Sequence, residues 1–138
     1  MALVLDTGPI LALLDANDRY HASCVQMTRT TTETLVVPAA TLVEVDYWVR
    51  KRLTLAVWRA FVEDLADGAY RLEGPTAADV VRAGEIEEQY ADLEIGFVDA
   101  SVIALCERLG EPKVATLDHR DFSVVVPHHV GALELLPH

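Results

Sequence analysis

Short apolar runs alternate along this chain with longer segments in which apolar residues recur at helical spacing. The first run covers residues 3–5 and has no polar alternation, which is typical of a strand covered on both faces. It ends at Asp6, a small-residue turn follows, and Pro9 fits the first position of a helix. The stretch therefore predicts a strand, a turn and a helix, with Asp6 at the carboxyl end of the strand.

The rest of the chain repeats this plan. Helices are predicted over residues 19–29, 39–52, 54–67, 76–90 and 97–109, and strands over residues 34–37, 70–72, 114–117, 124–126 and 133–136. Thr76 followed by Asp79 is a capping-box pattern, and Gly68 and Gly110 follow predicted helix ends. Helices that alternate with short apolar strands predict an α/β fold, a three-layer sandwich with a central, mainly parallel sheet of about five strands flanked by helices.

The length and composition narrow the class of protein. A length of 138 residues predicts a single domain over residues 1–138. No apolar run approaches the roughly 18 residues of a membrane helix, and no export signal precedes Leu3. Cys24 and Cys106 are far apart and lack Cys-x-x-Cys spacing, which argues against a disulfide or a zinc site. We expect a cytoplasmic protein in which Cys106 is a core thiol.

The formal net charge of −11 argues against binding of nucleic acid by bulk electrostatics. Any work on nucleic acid therefore needs local cations or a metal ion. The charge also favours a basic partner, because opposite fields steer association, although solubility alone explains the same excess of acids.

Four acids stand in positions that their neighbours do not explain. Asp6 and Asp118 each follow an apolar run, and Asp99 lies in the first turn of a helix that is apolar almost all round. Glu44 has no cation three or four residues away, whereas Asp46 has Arg50 four residues on and predicts a surface ion pair. The structural alternatives are a helix cap for Asp6 and a helix-dipole complement for Asp99.

Acids gathered above one sheet would have a definite chemistry. Carboxylates held close together raise one another's pKa unless a cation is present. Oxygen ligands select hard divalent ions, and an open carboxylate site suits Mg²⁺ or Mn²⁺. Such ions promote phosphodiester hydrolysis. The structural alternative is that acids at strand ends are ordinary loop residues, which are common there.

Four segments taken in order resemble a PIN-domain ribonuclease, and more narrowly the VapC-type toxins of prokaryotic toxin–antitoxin modules. The segments are LDTGPILALLD at residues 5–15, Pro38 with Glu44, FVDASV at residues 97–102 and ATLDHRDF at residues 115–122. The resemblance covers nearly the whole chain and implies a PIN-like sandwich.

The resemblance also assigns roles to residues. It gives the catalytic and metal-binding acidic positions to Asp6, Glu44, Asp99 and Asp118. Asp6 and Asp99 are the expected direct metal ligands. Two hydroxyls and one further acid are supporting candidates: Thr7, Thr116 and Asp121, the last sharing or replacing the role of Asp118.

The implied function is metal-dependent endonucleolytic cleavage of RNA, with Mg²⁺ or Mn²⁺ as cofactor and a basic, VapB-like antitoxin as partner. A homodimer is also expected. An RNA-maturation nuclease and a non-catalytic PIN module that only binds protein are the alternatives. Receiver domains and haloacid-dehalogenase phosphatases need acids that this chain lacks.

Surface residues complete the expectations. Arg50, Lys51 and Arg52 are candidates either for substrate contact or for complementing a helix dipole. Trp48, Trp58 and Phe61 are candidates for an antitoxin groove or a homodimer seam, with core packing expected for at least one. His128 and His129 are expected at the surface.

Overall fold

The computed structural model describes residues 1–138, and its central element is a five-stranded sheet in which every neighbouring pair is parallel. The strands are β1 (Ala2–Leu5), β2 (Thr34–Pro38), β3 (Arg71–Glu73), β4 (Lys113–Ala115) and β5 (Glu134–Leu136). Their order across the sheet is β3-β2-β1-β4-β5. The predicted parallel sheet of about five strands is confirmed.

Seven α-helices cover the sheet. They are α1 (Thr7–Leu14), α2 (His21–Thr30), α3 (Leu42–Arg52), α4 (Leu55–Ala66), α5 (Ala77–Gln89), α6 (Phe97–Leu109) and α7 (His119–Val124). Short 3₁₀ turns at Ala39–Thr41 and Ala91–Leu93 precede α3 and α6.

Strand β1 is buried on both faces because it lies between two helical layers. Ala2 and Val4 belong to the core cluster that contains side chains of α5 and α6. Leu3 and Leu5 alternate to the opposite face and join the cluster that contains side chains of α1, α3 and α4. This explains the unbroken apolar run in the sequence and confirms the three-layer sandwich.

The chain reverses its direction of travel across the sheet beside β1. It builds β2 and β3 on one side of β1 and then returns to place β4 and β5 on the other. Open α/β sheets bind ligands in the crevice that such a switch leaves at the carboxyl ends of the strands. The backbone N–H of Asp6 donates to the carbonyl of Ala115 at 2.8 Å, so the ends of β1 and β4 are held together at this crevice.

Several local predictions are confirmed at the level of single residues. Thr76 accepts a hydrogen bond from the N–H of Asp79, whose side chain accepts one from the N–H of Thr76, so the capping box is formed. Gly68 and Gly110 take left-handed φ angles of +84° and +67° after α4 and α6, which glycine adopts without a Cβ penalty.

The predicted strand over residues 124–126 is wrong. Residues 119–124 form α7, a helix that packs one side against the core. Phe122 and Val125 are buried, whereas Val124 and Val126 are 46% and 56% exposed. A short apolar run does not distinguish a strand from one turn of partly buried helix.

The predicted place of Pro9 is also corrected. Helix α1 begins at Thr7, so Pro9 is its third residue rather than its first. Proline is tolerated there because the N–H groups of the first helical turn have no acceptor within the helix.

Three predictions about buried and surface residues have definite outcomes. Cys106 is fully buried in the core, as predicted, and Phe61 is 1% exposed, which confirms core packing for one of the three aromatic residues. His128 is exposed as expected, but His129 is half-buried and pairs through Nε2 with the carbonyl of Glu111 at 2.6 Å. No helix of this fold has both the length and the apolar character needed to cross a membrane.

Asp79 joins the α5 cap to helix α6, and this double role makes a stability prediction. Its carboxylate is 4% exposed and also accepts from Nε of Arg108 at 2.9 Å. Because Asp79→Ala removes both a cap and a charged hydrogen bond, we expect it to lower the free energy of unfolding by about 2–4 kcal/mol. Urea melts measure this loss. Thr76→Ala removes one cap bond and should cost about 1 kcal/mol.

The matched control is Glu88→Ala on the exposed part of the same helix, which should change stability by less than about 0.5 kcal/mol. A loss for Asp79→Ala no larger than that of the control would show that the link between α5 and α6 contributes nothing.

Candidate active site

Asp6 follows β1 and lies buried at the crevice beside β4. Its side chain is 5% exposed, and Oδ2 accepts a hydrogen bond from the Thr116 hydroxyl at 2.9 Å. The other oxygen, Oδ1, is buried without a hydrogen-bond partner. Asp6 occupies the residue before α1, yet its side chain makes no capping bond, so the helix-cap alternative has no support.

Burial raises the pKa of Asp6 from 3.8 to about 6. The backbone N–H of Thr7 and the hydroxyl of Thr116 oppose this rise, while the neighbouring carboxylates of Glu44 and Asp118 add to it. The core thus holds an acid whose ionised form needs a compensating positive charge.

Glu44 enters the site from α3 and is held by Thr7. The Thr7 hydroxyl donates to Oε1 of Glu44 at 2.7 Å, which joins the first turns of α1 and α3. No cation pairs with Glu44, whereas Asp46 forms its predicted ion pair with Arg50 at 3.6 Å. The sequence contrast between these two acids is confirmed.

Asp99 lies at the centre of the acidic cluster, half-buried in the first turn of α6. Burial raises the pKa of Asp99 from 3.8 to about 8, and four further carboxylates contribute, in this order: Asp6, Asp118, Asp121 and Glu44. The other four acids predicted from the sequence therefore lie close enough to Asp99 for their charges to interact with it. We name these five residues, including Asp99, the acidic cluster.

Asp118 and Asp121 both reach Asp99. Carboxylate oxygens of the three residues lie within 4.8 Å of one another. Asp118 was expected at the tip of a strand, but β4 ends at Ala115, and Asp118 instead caps α7 by accepting the N–H of Asp121 at 3.2 Å. The Asp118 side chain therefore both caps α7 and belongs to the acidic cluster.

Asp121 was expected only as a supporting residue that shares or replaces the role of Asp118. The structure buries Asp121 to 8% exposure in the first turn of α7. The signal that was missed is the three-residue spacing from Asp118 to Asp121, which is a helix N-terminal pattern. The only salt bridge to any member of the acidic cluster joins Asp121 to Arg120, whose side chain is 77% exposed.

The donor set fits a hard divalent cation. Every charged group in the acidic cluster is a carboxylate, and the unpartnered Oδ1 of Asp6 is a buried oxygen ready to accept. Thr116 organises two members, because its hydroxyl donates to Asp6 and accepts the N–H of Asp118 at 3.0 Å. A cation here would offset both the burial and the mutual repulsion that raise the pKa of Asp99.

Comparison with known proteins identifies the family. A family model described as the PIN domain matches residues 3–126. The chain belongs to the PIN-domain family. A relative, Ribonuclease VapC26 of Mycobacterium tuberculosis (strain ATCC 25618 / H37Rv), is 32% identical over 135 residues, which cover 98% of this chain and all of the relative.

Solved structures share the fold. The VapC20 toxin of Mycobacterium tuberculosis, described as cleaving the sarcin–ricin loop, has a TM-score of 0.79 and 20% identity, covering 86% of this chain and 92% of that chain. VapBC2 of Rickettsia felis, solved with a promoter DNA fragment, has a TM-score of 0.72 and 14% identity, covering 99% and 100%. The PIN-like architecture expected from the sequence is confirmed.

The raised pKa of Asp99 predicts how stability responds to pH without metal. A carboxyl with a folded-state pKa of about 8 and an ordinary unfolded value destabilises the fold increasingly as pH rises from about 4 to about 8. We therefore expect Asp99→Asn to flatten this decline. In EDTA at pH 8 it should be more stable than the wild type by about 1–2 kcal/mol, after discounting for solvent exposure.

Urea melts across this pH range provide the measurement, and Asp46→Asn at the surface ion pair is the control, with an expected change below about 1 kcal/mol. If Asp99 only complemented the α6 dipole, Asp99→Asn would instead lose about 0.3–1 kcal/mol. That sign would remove Asp99 from the acidic cluster.

Proposed function

We propose that this protein is a metal-dependent endoribonuclease and the toxin of a toxin–antitoxin pair, built as one PIN domain over residues 1–138. The observation that carries the proposal is the acidic cluster around Asp99, placed at the switch point of a parallel sheet. Sequence similarity supports this activity, because the chain is 32% identical over nearly its full length to a protein named as a ribonuclease.

Asp6 and Asp99 are the proposed direct ligands of a divalent ion. Both have a raised pKa caused first by burial, so both have the most to gain from a positive charge. Glu44, Asp118 and Asp121 complete the site by holding further ligand atoms or a coordinated water. Thr7 and Thr116 fix the orientation of Glu44 and Asp6 through hydrogen bonds of 2.7 and 2.9 Å.

The ion we propose is Mg²⁺ or Mn²⁺, because the charged donors are all carboxylate oxygens. The chemistry that such an ion supplies when bound is a lowered pKa for a water and neutralised charge on a phosphodiester. The side chains of this protein position the reacting groups and need form no covalent intermediate. The retained acids disfavour the alternative of a non-catalytic PIN module.

The first test of this function is its dependence on metal. We expect purified protein to cleave RNA in Mg²⁺ or Mn²⁺ and to lose that activity in excess EDTA, because carboxylates alone cannot activate water for diester hydrolysis. Asp99→Asn should lower the rate by about 100-fold or more, a loss typical of removing one preorganised electrostatic group. Thr116→Val, which keeps the shape of the side chain, should weaken metal binding by about 10–100-fold.

Gel analysis of labelled RNA and calorimetric titration of the metal measure these effects. Asp46→Asn is the matched control, since it removes one carboxylate of α3 outside the acidic cluster and should retain wild-type cleavage. Full activity of the wild type in EDTA, with contaminating ribonuclease excluded, would reject the proposal.

The second test concerns the antitoxin. We propose a basic, VapB-like partner whose Arg or Lys side chain enters the acidic cluster and competes with the metal ion. Charge supports this, because the protein carries −11 overall and no internal Lys or Arg pairs with four of the five acids. The homodimer expected from the family resemblance stays a prediction.

Inhibition is measured by comparing RNA cleavage by the free protein with cleavage by its purified complex with the product of the adjacent gene. We expect the complex to be slower at equal protein concentration. Raising the salt concentration should weaken the complex and restore activity, since ion pairs are screened. Equal rates for complex and free protein would contradict an inhibitory partner.

A further inference from the structure

Beyond Glu44, helix α3 presents exposed aromatic rings to the surface. Tyr47 and Trp48 lie three and four residues after Glu44 and are 49% and 38% exposed. Residues at these spacings are neighbours on one side of a helix. The two rings therefore lie one helical turn beyond the acidic cluster, on the side of α3 that bears Glu44.

A cation accompanies each ring one turn further along. Nζ of Lys51 lies 5.5 Å from the centre of the Tyr47 ring, and the guanidinium carbon of Arg52 lies 4.5 Å from that of Trp48. The rings contact each other edge to face with centres 5.1 Å apart. The four side chains form one arrangement, which we name the α3 platform.

The cations of the α3 platform are not paired with carboxylates. Six of the eleven Lys and Arg residues take part in salt bridges, which leaves five without one. The five are Arg19, Arg29, Lys51, Arg52 and Arg59. Two of them are consecutive and lie on the platform, so their charge is available to an anion.

We propose that the α3 platform binds the RNA strand that leads into the acidic cluster, with bases stacking on Tyr47 and Trp48 and phosphates approaching Lys51 and Arg52. Base stacking on aromatic rings tolerates any sequence, and cations neutralise the backbone. Glu44 to Arg52 spans about 12 Å along the helix axis, so the platform is continuous with the site. This inference rests on the proposed ribonuclease function.

Electrostatics explains why such a surface is needed. A protein with a net charge of −11 and five clustered carboxylates repels a polyanion over most of its surface. Attraction must be local and close to the cleavage point. The α3 platform supplies it, even though Asp15 and Asp18 line the same shallow hollow as Trp48 and Arg52.

The same charges disfavour two other occupants. A two-fold homodimer through this face would bring the same surface patch, including Lys51 and Arg52, against its own copy. A basic antitoxin segment would meet like charges here, which opposes binding. Charge complementarity therefore favours RNA on the platform.

Tryptophan fluorescence tests the contact directly. The chain has two tryptophans, so Trp58→Phe leaves Trp48 as the sole reporter. We expect a short single-stranded RNA of mixed sequence to quench this emission to saturation. The titration uses Ca²⁺, which we expect to bind without supporting cleavage. The Lys51→Gln, Arg52→Gln double variant should reduce the slope of log affinity against log salt by about 1.4, or about 0.7 per lost phosphate contact.

Steady-state cleavage in Mg²⁺ separates binding from chemistry. Trp48→Ser should raise KM by about 5- to 150-fold, the range for loss of one stacked base, and leave kcat nearly unchanged. Trp48→Phe should restore most of the loss because it keeps a ring. Matched controls are Arg29→Gln, an unpaired cation on α2, and Val81→Ser, a residue of α5 that is 67% exposed; both should behave as wild type.

Three results would overturn the inference. They are wild-type RNA affinity and KM in the platform variants, loss of antitoxin binding without loss of RNA binding, and conversion of a dimer to a monomer by the same variants in light scattering. Its failure is distinct from failure of the proposed function. A wild-type protein that cleaves no RNA would reject the function, while the quenching titration still decides whether the platform binds RNA.

Discussion

The gathering of five carboxylates in a partly buried site is the constraint on which this structure depends. Asp99 has a pKa near 8 because burial and four neighbouring acids disfavour its ionised form. The fold tolerates this because the acids are attached to elements that the core holds rigidly. β1 is buried on both faces, and hydrogen bonds from Thr7 and Thr116 fix Glu44 and Asp6 in place. Packing of the core elsewhere thus offsets the free-energy cost of holding these acids together.

The sequence predicted the parts of the fold in which local chemistry and packing agree. β1 was evident from its apolar run, and the start of α5 from the reciprocal cap of Thr76 and Asp79. Asp6 was identified by its place after the first apolar run, and Glu44 by the lack of a cation three or four residues away. The segment around α7 was misjudged, since six residues of helix give too little periodicity to outweigh an apolar run, and the place of Asp121 was underrated with it.

Overall charge and local charge have different meanings in this protein. The net charge of −11 argues against a broad basic surface for nucleic acid. Yet α3 places an acid at one end and unpaired cations at the other, within one helix. A composition averages over this polarity. The structure is needed to show that Glu44, at one end of α3, belongs to the acidic cluster, whereas the other end of α3 lies in a different environment.

The hydroxyl of Thr116 limits where Asp6 can carry a proton. Thr116 accepts from the N–H of Asp118, so its single hydrogen is directed to Oδ2 of Asp6. This donation disfavours a proton on Oδ2 and favours one on Oδ1, the oxygen that has no hydrogen-bond partner. Under the proposed function, a proton and the divalent ion would compete for this atom, so metal binding would weaken as the pH falls.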